Sequence, residues 1–163
     1  MSDVSFVRAR ASDAELIAQL RLAAWETTYR GIYPDEVIDS YDVPERAQRD
    51  REKIADPELQ VYLIRCDGQA AGYFMLRVTE TVYIAALYVL KPWQHRGIGR
   101  QAFALTRKLC RGLGVRDFTC NCNAHNLPAQ GFYRAMGGVI VRQDTGHANW
   151  QEDQVTFSFM TDI

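Results

Sequence analysis

A glycine-rich turn between an apolar strand and a long helix limits the fold of this chain more than any other segment. Residues 81–90 are apolar at almost every position, which predicts a central strand covered on both faces. Gly97 and Gly99 follow, and without Cβ atoms they let the backbone turn tightly and approach a ligand. The next helix has a predicted apolar face of Ile98, Ala102, Leu105, Leu109 and Leu113. A further strand after this helix would complete a crossover, which predicts a mixed α/β sheet.

The other elements are predicted from caps, turns and the alternation of apolar residues. Ser12 is a predicted helix cap with Glu15 three residues later, and Asp67-Gly68 is a strong hairpin signal. Helices are predicted from Ser12 to near Gly31, from Pro34, and over residues 43–55, 98–113 and 126–136. Strands are predicted over residues 4–8, 61–66, 70–79, 81–90, 115–122, 139–142 and 155–160.

Length and charge indicate one domain and exclude several classes of partner. The chain has 163 residues, which fits a single domain over residues 1–163, since domains typically have ~100–200 residues. Its 19 basic and 20 acidic residues give a net charge of −1, so no basic surplus predicts nucleic-acid binding. The longest apolar run, residues 82–90, is shorter than the ~20 residues of a membrane helix. We therefore expect neither nucleic acid nor a membrane as a partner.

Cysteine usage and the N-terminal residues predict the compartment. The chain starts without the basic and then apolar segment of a signal peptide, and its four cysteines include no C-x-x-C pair. Cys120 and Cys122 lie two apart in a predicted strand, so both face one side and are expected to be buried thiols. No two of the three histidines have the spacing of metal ligands. We expect a cytoplasmic protein with reduced thiols and no metal.

The glycine-rich turn has the chemistry of an anion site. The first amides of a helix lack intrahelical partners and lie at the positive end of its dipole. Arg96 and Arg100 add positive charge at the rim, which suits a phosphate or pyrophosphate. Two glycines also occur in helix caps that bind nothing, so the turn alone leaves both interpretations open.

A dinucleotide site fits this turn poorly. Residues 97–102 match the fingerprint G-x-G-x-x-A, in which the glycines directly follow a strand and an acidic residue ends the next strand. Here residues 91–96 intervene, and the next strand ends Cys120-Asn121-Cys122-Asn123, without a carboxylate. A nicotinamide or flavin dinucleotide is therefore disfavoured.

Two blocks of residues share their spacing with a known family. The blocks are Gln94-x-x-Gly97-x-Gly99 and Asn126-x-x-Ala129-x-x-Phe132-Tyr133-x-x-x-Gly137. They resemble the Q/R-x-x-G-x-G/A and N-x-x-A-x-x-F/Y-Y-x-x-x-G motifs of the GNAT superfamily of acetyl-CoA-dependent N-acetyltransferases, and the order of elements agrees over nearly the whole chain. The resemblance implies a mixed, mostly antiparallel sheet that is splayed between strands 4 and 5 and flanked by about four helices.

The resemblance also implies a cosubstrate, acetyl-CoA, and residues that hold it. Backbone groups of Leu87, Tyr88 and Val89 would pair with the pantetheine arm in the gap of the sheet. The pyrophosphate would be held by the amides of His95, Arg96, Gly97, Ile98, Gly99 and Arg100. Asn126 would contact the cosubstrate, and Tyr133 would reach its sulfur.

Acetyl transfer from a thioester to an amine needs a neutral amine, a donor for the oxyanion and an acid for the leaving thiolate. Tyr133 is the candidate acid, although a core tyrosine is the alternative. Some relatives place a carboxylate base where this chain has Asn121, which cannot act as a base. Glu80 is a second candidate, and it is equally a solvated turn residue. A water chain ending on Tyr83 or on a backbone carbonyl, or an amine that arrives neutral, also remains open.

Residues 25–34 resemble the W-x-x-x-Y-x-G-x-x-P stretch of GNAT members that act on small amines, including some polyamine acetyltransferases. Trp25 and Tyr29 are four residues apart and share a helix face, so they are predicted to form an aromatic wall beside a cationic amine. The alternative is that both rings pack the helix on the sheet. With Tyr83, they are the predicted substrate residues.

The leading hypothesis is an enzyme that transfers acetyl directly from acetyl-CoA to a primary amine of a small molecule or a protein N-terminus. The alternative is a noncatalytic acyl-CoA-binding regulatory module, because Asn121 and Gly138 (where the family usually has Phe) depart from the family pattern. The last strands of such folds often pair, so a homodimer is also expected.

Overall fold

The computed structural model describes residues 3–162. In this part of the chain the seven strands are β1 (Val4–Arg8), β2 (Leu59–Cys66), β3 (Gln69–Val78), β4 (Val82–Val89), β5 (Asp117–Asn123), β6 (Val139–Asp144) and β7 (Gln154–Met160). The five α-helices are α1 (Ala14–Thr28), α2 (Asp35–Asp39), α3 (Val43–Ala55), α4 (Ile98–Leu113) and α5 (Leu127–Ala135). Helices α3 and α4 have the predicted bounds.

The strands form one sheet in the order β1-β2-β3-β4-β5-β7-β6. Every neighbouring pair is antiparallel except β4 and β5, which are parallel and paired only at Tyr83–Thr119 and Ile84–Cys120. Beyond Ile84 the two strands separate. The mixed, mostly antiparallel sheet and its splay between strands 4 and 5 are therefore confirmed.

A β-bulge marks the point of separation. On β3, Met75 pairs with Ala86 and Leu76 pairs with Ile84, which leaves Ala85 as an extra residue on β4. A bulge bends its strand and increases the local twist. The bend directs the second half of β4 away from β5 and opens a gap in the sheet.

The helices cover the two faces of the sheet unequally. Helices α4 and α5 pack on one face against the larger core, and α1 and α3 pack on the other. Strand β4 was predicted to be covered on both faces along its length, but only its start is buried. Ala85 is exposed and the residues after it are half-buried, because β5 has left the strand there.

The buried stripe of α4 differs from the predicted one. Its buried residues are Ile98, Ala102, Phe103, Thr106 and Cys110, whereas Leu105 and Leu109 are half-buried and Leu113 is exposed. The Phe103 ring contacts Phe159 of β7 with 4.8 Å between ring centroids. This aromatic packing turns the helix toward Phe103, which the periodicity of the leucines does not indicate.

Local signals gave one correct and one wrong prediction. Asp67 and Gly68 have φ angles of 52° and 79°, as a tight hairpin turn requires, and the predicted hairpin is confirmed. Ser12 is not a helix cap, because it lies inside a 3₁₀ turn at Ala11–Asp13. The Asp13 carboxylate accepts a hydrogen bond from the Arg10 amide at 2.8 Å, so the turn begins before the predicted cap.

All four cysteines are buried free thiols, as predicted. Within residues 3–162 no helix combines the length and the apolar character that a membrane crossing needs. In the same residues, no group of three or more histidine, cysteine, aspartate or glutamate side chains is placed to hold a metal ion.

Candidate active site

The N-terminus of α4 presents unpaired backbone amides. Gly97 precedes the helix in the left-handed conformation and makes no side-chain cap, and no acidic residue lies in the first turn. The first helical bond runs from the Gln101 amide to the Gly97 carbonyl at 3.1 Å, so the amides of residues 98–100 precede it. By contrast, Asp42 caps α3 and Asn126 caps α5 with their side chains. The α4 terminus is therefore open to an anion.

Side chains hold the loop before α4 without covering these amides. The Gln94 amide donates from Nε2 to the Val89 carbonyl at 2.9 Å, which ties the loop to the end of β4. The Arg96 guanidinium lies over the Trp93 ring at 4.9 Å, and His95 has a left-handed φ of 62°. His95, Arg96 and Arg100 are exposed.

Glycine is needed at the two positions of the turn for different physical reasons. A Cβ on Gly97 would meet no atom within 4 Å, so its requirement is the φ of +82°, which L side chains rarely adopt. A Cβ on Gly99 would lie 2.6 Å from the Phe132 ring, so this glycine lets α4 pack closely on α5. Packing thus explains the missing Cβ at Gly99, while its amide remains at the uncapped start of α4. Ile98 is buried and offers only its backbone.

The edge of β4 that faces the gap is open. The Leu90 amide donates to the Ala71 carbonyl of β3 at 2.8 Å, and peptide groups alternate in direction along a strand. The backbone of Tyr88 therefore faces β3, and the backbones of Leu87 and Val89 face the gap. Pairing with pantetheine was predicted for all three residues, and this geometry corrects it for Tyr88, whose peptide is engaged in the sheet.

Helix α5 brings Asn126 and Tyr133 to the gap. Asn126 Oδ1 accepts from the Ala129 amide at 3.2 Å, which confirms the predicted cap. Its amide group faces the hydroxyl of Tyr29, the residue that follows α1. Since α1 and α5 lie on opposite faces of the sheet, this contact passes through the gap between β4 and β5.

The Tyr133 side chain is buried beside the Cys120 thiol of β5. Burial raises the pKa of Tyr133 well above its ordinary value, so the hydroxyl remains protonated. Burial also raises the pKa of the Cys120 thiol to about 12. A neutral hydroxyl with a buried ring has the state that a proton donor needs.

Gly138 supports the position of Tyr133. A Cβ at Gly138 would lie 2.6 Å from the Phe159 ring and 2.7 Å from the Tyr133 carbonyl oxygen. The rings of Phe157 and Phe159 on β7 occupy the neighbouring space. The family usually has Phe where this chain has Gly138, and here the rings of Phe157 and Phe159 fill the space beside that position.

An aromatic cluster on α1 and the following loop forms the other side of the gap. The Tyr29 and Tyr33 rings stack with 4.3 Å between centroids, and the Tyr29 and Tyr88 hydroxyl oxygens are 3.4 Å apart. Trp25 is buried, and the Arg46 guanidinium of α3 covers its ring at 5.1 Å. The ring faces predicted to bind a cationic amine are thus already occupied.

The residues considered as the base differ in where they lie relative to the gap. Glu80 is exposed in the bend before β4, on the side where β4 and β5 are still paired, so the structure does not bring it to the gap. Tyr83 is half-buried on β4, paired with Arg77 of β3 and with Thr119. Asn121 accepts a hydrogen bond from the Thr156 hydroxyl at 2.8 Å.

A cavity of about 560 Å³ lies between α1, α3 and the β3–β4 pair. Ala85 and Ala86, at the bulge, form part of its wall, so the cavity reaches the point where β4 leaves β5. Arg46 and Lys53 of α3 line the opposite wall. Neither residue was predicted as part of the site, although a spacing of seven on a helix places them on one face.

The chain resembles known proteins over most of its length. A family model described as the acetyltransferase (GNAT) family matches residues 18–137. An uncharacterized N-acetyltransferase of Lactobacillus delbrueckii subsp. lactis is 30% identical over 94 residues, which cover 52% of this chain and 54% of that protein. The chain thus spans about half the length of this curated relative.

Two solved structures share the fold. The PaiA N-acetyltransferase of Thermoplasma acidophilum, in complex with coenzyme A, is 18% identical with a TM-score of 0.80, over 97% of this chain and 99% of that one. The Salmonella typhimurium acetyltransferase that modifies the N-terminal serine of ribosomal protein L7/L12 is 16% identical with a TM-score of 0.74, over 96% and 94% of the two chains. Because the family model covers well over half of its residues, the chain belongs to the GNAT acetyltransferase family, whose cosubstrate is acetyl-CoA.

Proposed function

We propose that this chain transfers the acetyl group of acetyl-CoA directly to a primary amine of a small molecule or of a protein N-terminus. The observation that carries the proposal is the gap between β4 and β5. The uncapped start of α4, the open edge of β4 and the Tyr133 side chain all lie along this gap. A cavity on the α1–α3 side reaches the same place and gives an acceptor a route to it.

The residues present fit acetyl-CoA. The amides of residues 98–100 would hold the pyrophosphate, since they lack partners at the positive end of a helix. The gap-facing backbones of Leu87 and Val89 would hold the pantetheine amides, with the Val89 carbonyl also bonded to Gln94. Asn126 Oδ1 is engaged in the cap, so its amide group, which faces the Tyr29 hydroxyl, is the part that would donate to the cosubstrate.

Acetyl-CoA supplies an acetyl group activated as a thioester. An unpaired β4 amide beyond Ile84 would donate to the carbonyl oxygen as negative charge develops on it. The Tyr133 hydroxyl would donate its proton to the departing sulfur, and burial keeps that proton in place at neutral pH.

The acceptor must arrive as a neutral amine. Five cationic side chains line the cavity, and nearby positive charge lowers the pKa of a bound ammonium group. This field supports an amine that loses its proton before attack. A water chain that ends on Tyr83 or on a backbone carbonyl is the alternative route for the proton.

Thermal unfolding with and without acetyl-CoA tests the proposal. At 100 times its Kd a ligand adds about 2.7 kcal/mol of stability, so we expect the Tm to rise by roughly 5–11 °C, with NAD as the inactive control. Release of the CoA thiol is then measured with a panel of amines. If neither CoA nor acetyl-CoA shifts the Tm, the proposal fails. If acetyl-CoA binds and no amine releases the thiol, the chain is instead a noncatalytic acyl-CoA-binding module.

Two finer expectations accompany this proposal. Strand β6 lies at the edge of the sheet with Val139 and Val141 exposed, so we propose that this edge pairs with a second copy in a homodimer. Light scattering of the purified protein measures the mass directly, and a monomer would contradict it. A cytoplasmic location stays a prediction.

A further inference from the structure

We infer that the acceptor amine is a small molecule that also carries an anionic oxygen group, a carboxylate or a phosphate, which the basic wall of the α1–α3 cavity binds. This inference rests on the proposed acetyltransferase function and names the class of its acceptor. The cavity volume of about 560 Å³ lies within the usual range for small-molecule sites.

The charges around the cavity are predominantly positive. Its wall contains two carboxylates, Glu52 and Asp56. The cationic side chains that line it are Arg21, Arg46, Arg49, Lys53 and Arg77. An acceptor in this cavity therefore meets more positive than negative charge.

Several of these cations are already balanced. Arg21 forms a buried bidentate pair with Asp50, with N–O distances of 2.8 and 2.7 Å. Arg77 pairs with Asp56 at 3.5 Å, and Arg49 pairs with a glutamate on the outer face of α3. These pairs leave two cations of the wall to be explained.

Arg46 and Lys53 make no ion pair with any residue in the described part of the chain. Glu52 is the lining carboxylate that remains, and it is exposed. The Arg46 guanidinium lies over both the Trp25 and the Tyr41 ring, at 5.1 and 5.3 Å from their centroids. Ring contacts hold its face in place and leave the N–H groups at its edge available to oxygen atoms.

The pKa of Lys53 reflects the same excess of positive charge around it. Burial lowers the pKa of Lys53, and the charges of Arg21, Arg46 and Arg49 lower it further, against the opposing effect of Asp50. A bound anion would relieve this repulsion. The wall is thus set up electrostatically for a negative group.

The floor of the cavity contains a buried hydroxyl group without a hydrogen-bond partner. Tyr73 lines the cavity and is fully buried, and its hydroxyl has no hydrogen-bond partner among the described residues. Buried polar groups in proteins are nearly always paired. That hydroxyl oxygen has almost no exposed surface, so it is closed to a ligand in the cavity, and the charges of Arg46 and Lys53 are what would bind the anionic group.

A polyamine fits this cavity poorly. Its ammonium groups would face Arg46 and Lys53, and the Trp25 ring that would otherwise attract them is covered by Arg46. Ala85 and Ala86 form the wall next to the gap, so the amine would lie on their side and the anionic group toward α3.

Matched acceptors test the inference through release of the CoA thiol. O-phosphoethanolamine is compared with ethanolamine, glycine with glycinamide, and spermidine represents the polyamines. We expect kcat/KM to be at least about tenfold higher for the anionic member of each pair, and the preference to shrink as salt screens the charges. Equal or higher kcat/KM for ethanolamine, glycinamide or spermidine would overturn the inference.

Three variants locate the effect. R46Q and K53Q are expected to raise the KM for O-phosphoethanolamine about tenfold and leave the KM for acetyl-CoA unchanged. R51Q removes the same charge from the same helix but lies outside the cavity wall, and it should match the native protein. If R46Q and K53Q behave as R51Q does, the basic wall does not bind the acceptor. K53Q alone decides the matter if R46Q does not fold.

The two proposals fail in different ways. If no amine of either charge releases the thiol, the proposed function fails, and the inference is judged on binding alone. O-phosphoethanolamine should then raise the Tm of the native protein more than ethanolamine does, and K53Q should abolish the difference. Equal shifts for both compounds would overturn the inference.

Discussion

The two sides of the gap present different chemical groups, backbone amides on one side and side chains on the other. On the side of α4 the groups proposed to hold the cosubstrate are backbone amides, left uncapped because Gly97 supplies no side chain. On the side of α1 and α3 the groups proposed to hold the acceptor are side chains, and the paired Arg21 and Asp50 lie 29 residues apart in sequence. A backbone site needs only a turn and a helix, so unrelated side chains can surround it. A side-chain site depends on each residue, so single substitutions should alter the binding proposed for this side more than that proposed for the α4 side.

Tyr133 lies between the two sides, and its removal has the largest expected effect. Tyr133→Phe should lower kcat by about 10²–10⁴-fold, because a general acid contributes that much, and should change the Kd of acetyl-CoA by less than about twofold. Single-turnover acetyl transfer and calorimetric titration measure the two quantities. Tyr62→Phe, which removes a hydroxyl bonded to Gln60 on β2, is the control. An unchanged kcat would remove Tyr133 from the role of acid.

Asp50→Asn tests the acceptor side. It leaves the buried Arg21 charge without its bidentate partner, which typically costs about 3–5 kcal/mol. We expect the Tm to fall by roughly 6–20 °C, while the Tm increment from acetyl-CoA remains as in the native protein. A large loss of that increment would show that the two sides are not independent.

Gly97→Val and Gly99→Val separate conformation from packing on the cosubstrate side. Valine at residue 97 strains a left-handed backbone by about 1–3 kcal/mol, and the exposed turn releases this strain by changing its conformation, so the Tm changes little. The amides then lose their alignment, and acetyl-CoA should bind roughly 10–100-fold more weakly. Valine at residue 99 meets the Phe132 ring, and the Tm should fall. Titration calorimetry and thermal unfolding distinguish the two effects. Normal binding by Gly97→Val would contradict the backbone site.

Arg100→Gln has the smallest expected effect. An exposed arginine contributes about 0.2–1 kcal/mol, so the Kd of acetyl-CoA should rise by less than about sixfold, and the difference should vanish at high salt. Titrations at two salt concentrations measure this directly. A loss of 100-fold would mean that side chains, and not amides, hold the cosubstrate.

The same contrast explains what the sequence could predict. The bounds of α3 and α4, the hairpin at Asp67-Gly68 and the Asn126 cap depend on local signals, and the structure has them. The buried face of α4 depends on rings that come from β5 and β7, so the leucine pattern misplaced it. The Arg21–Asp50 pair joins residues 29 apart, and no local pattern indicates it.

The candidate site residues divide in the same way, into those that a local pattern indicates and those that depend on how the elements pack. The motif residues around Gly97 and Asn126 could be named because short spacings fix them, and their contacts with the cosubstrate stay a prediction. The sequence could not place Glu80 relative to the gap, because the end of β4 that reaches the gap depends on how far β5 follows it. Arg46 and Lys53 acquire their proposed roles only when α3 packs over β3.

The positive charges around Lys53 make anion binding a proton-linked event. In the free protein, burial together with Arg21, Arg46 and Arg49 lowers the pKa of Lys53, which Asp50 only partly offsets. A bound sulfate would raise that pKa again, so binding takes up a proton wherever the pH lies between the two values. Affinity is full below the pKa of the free protein and weakens as the pH rises through it. Calorimetry in buffers of different ionisation enthalpy would count that proton.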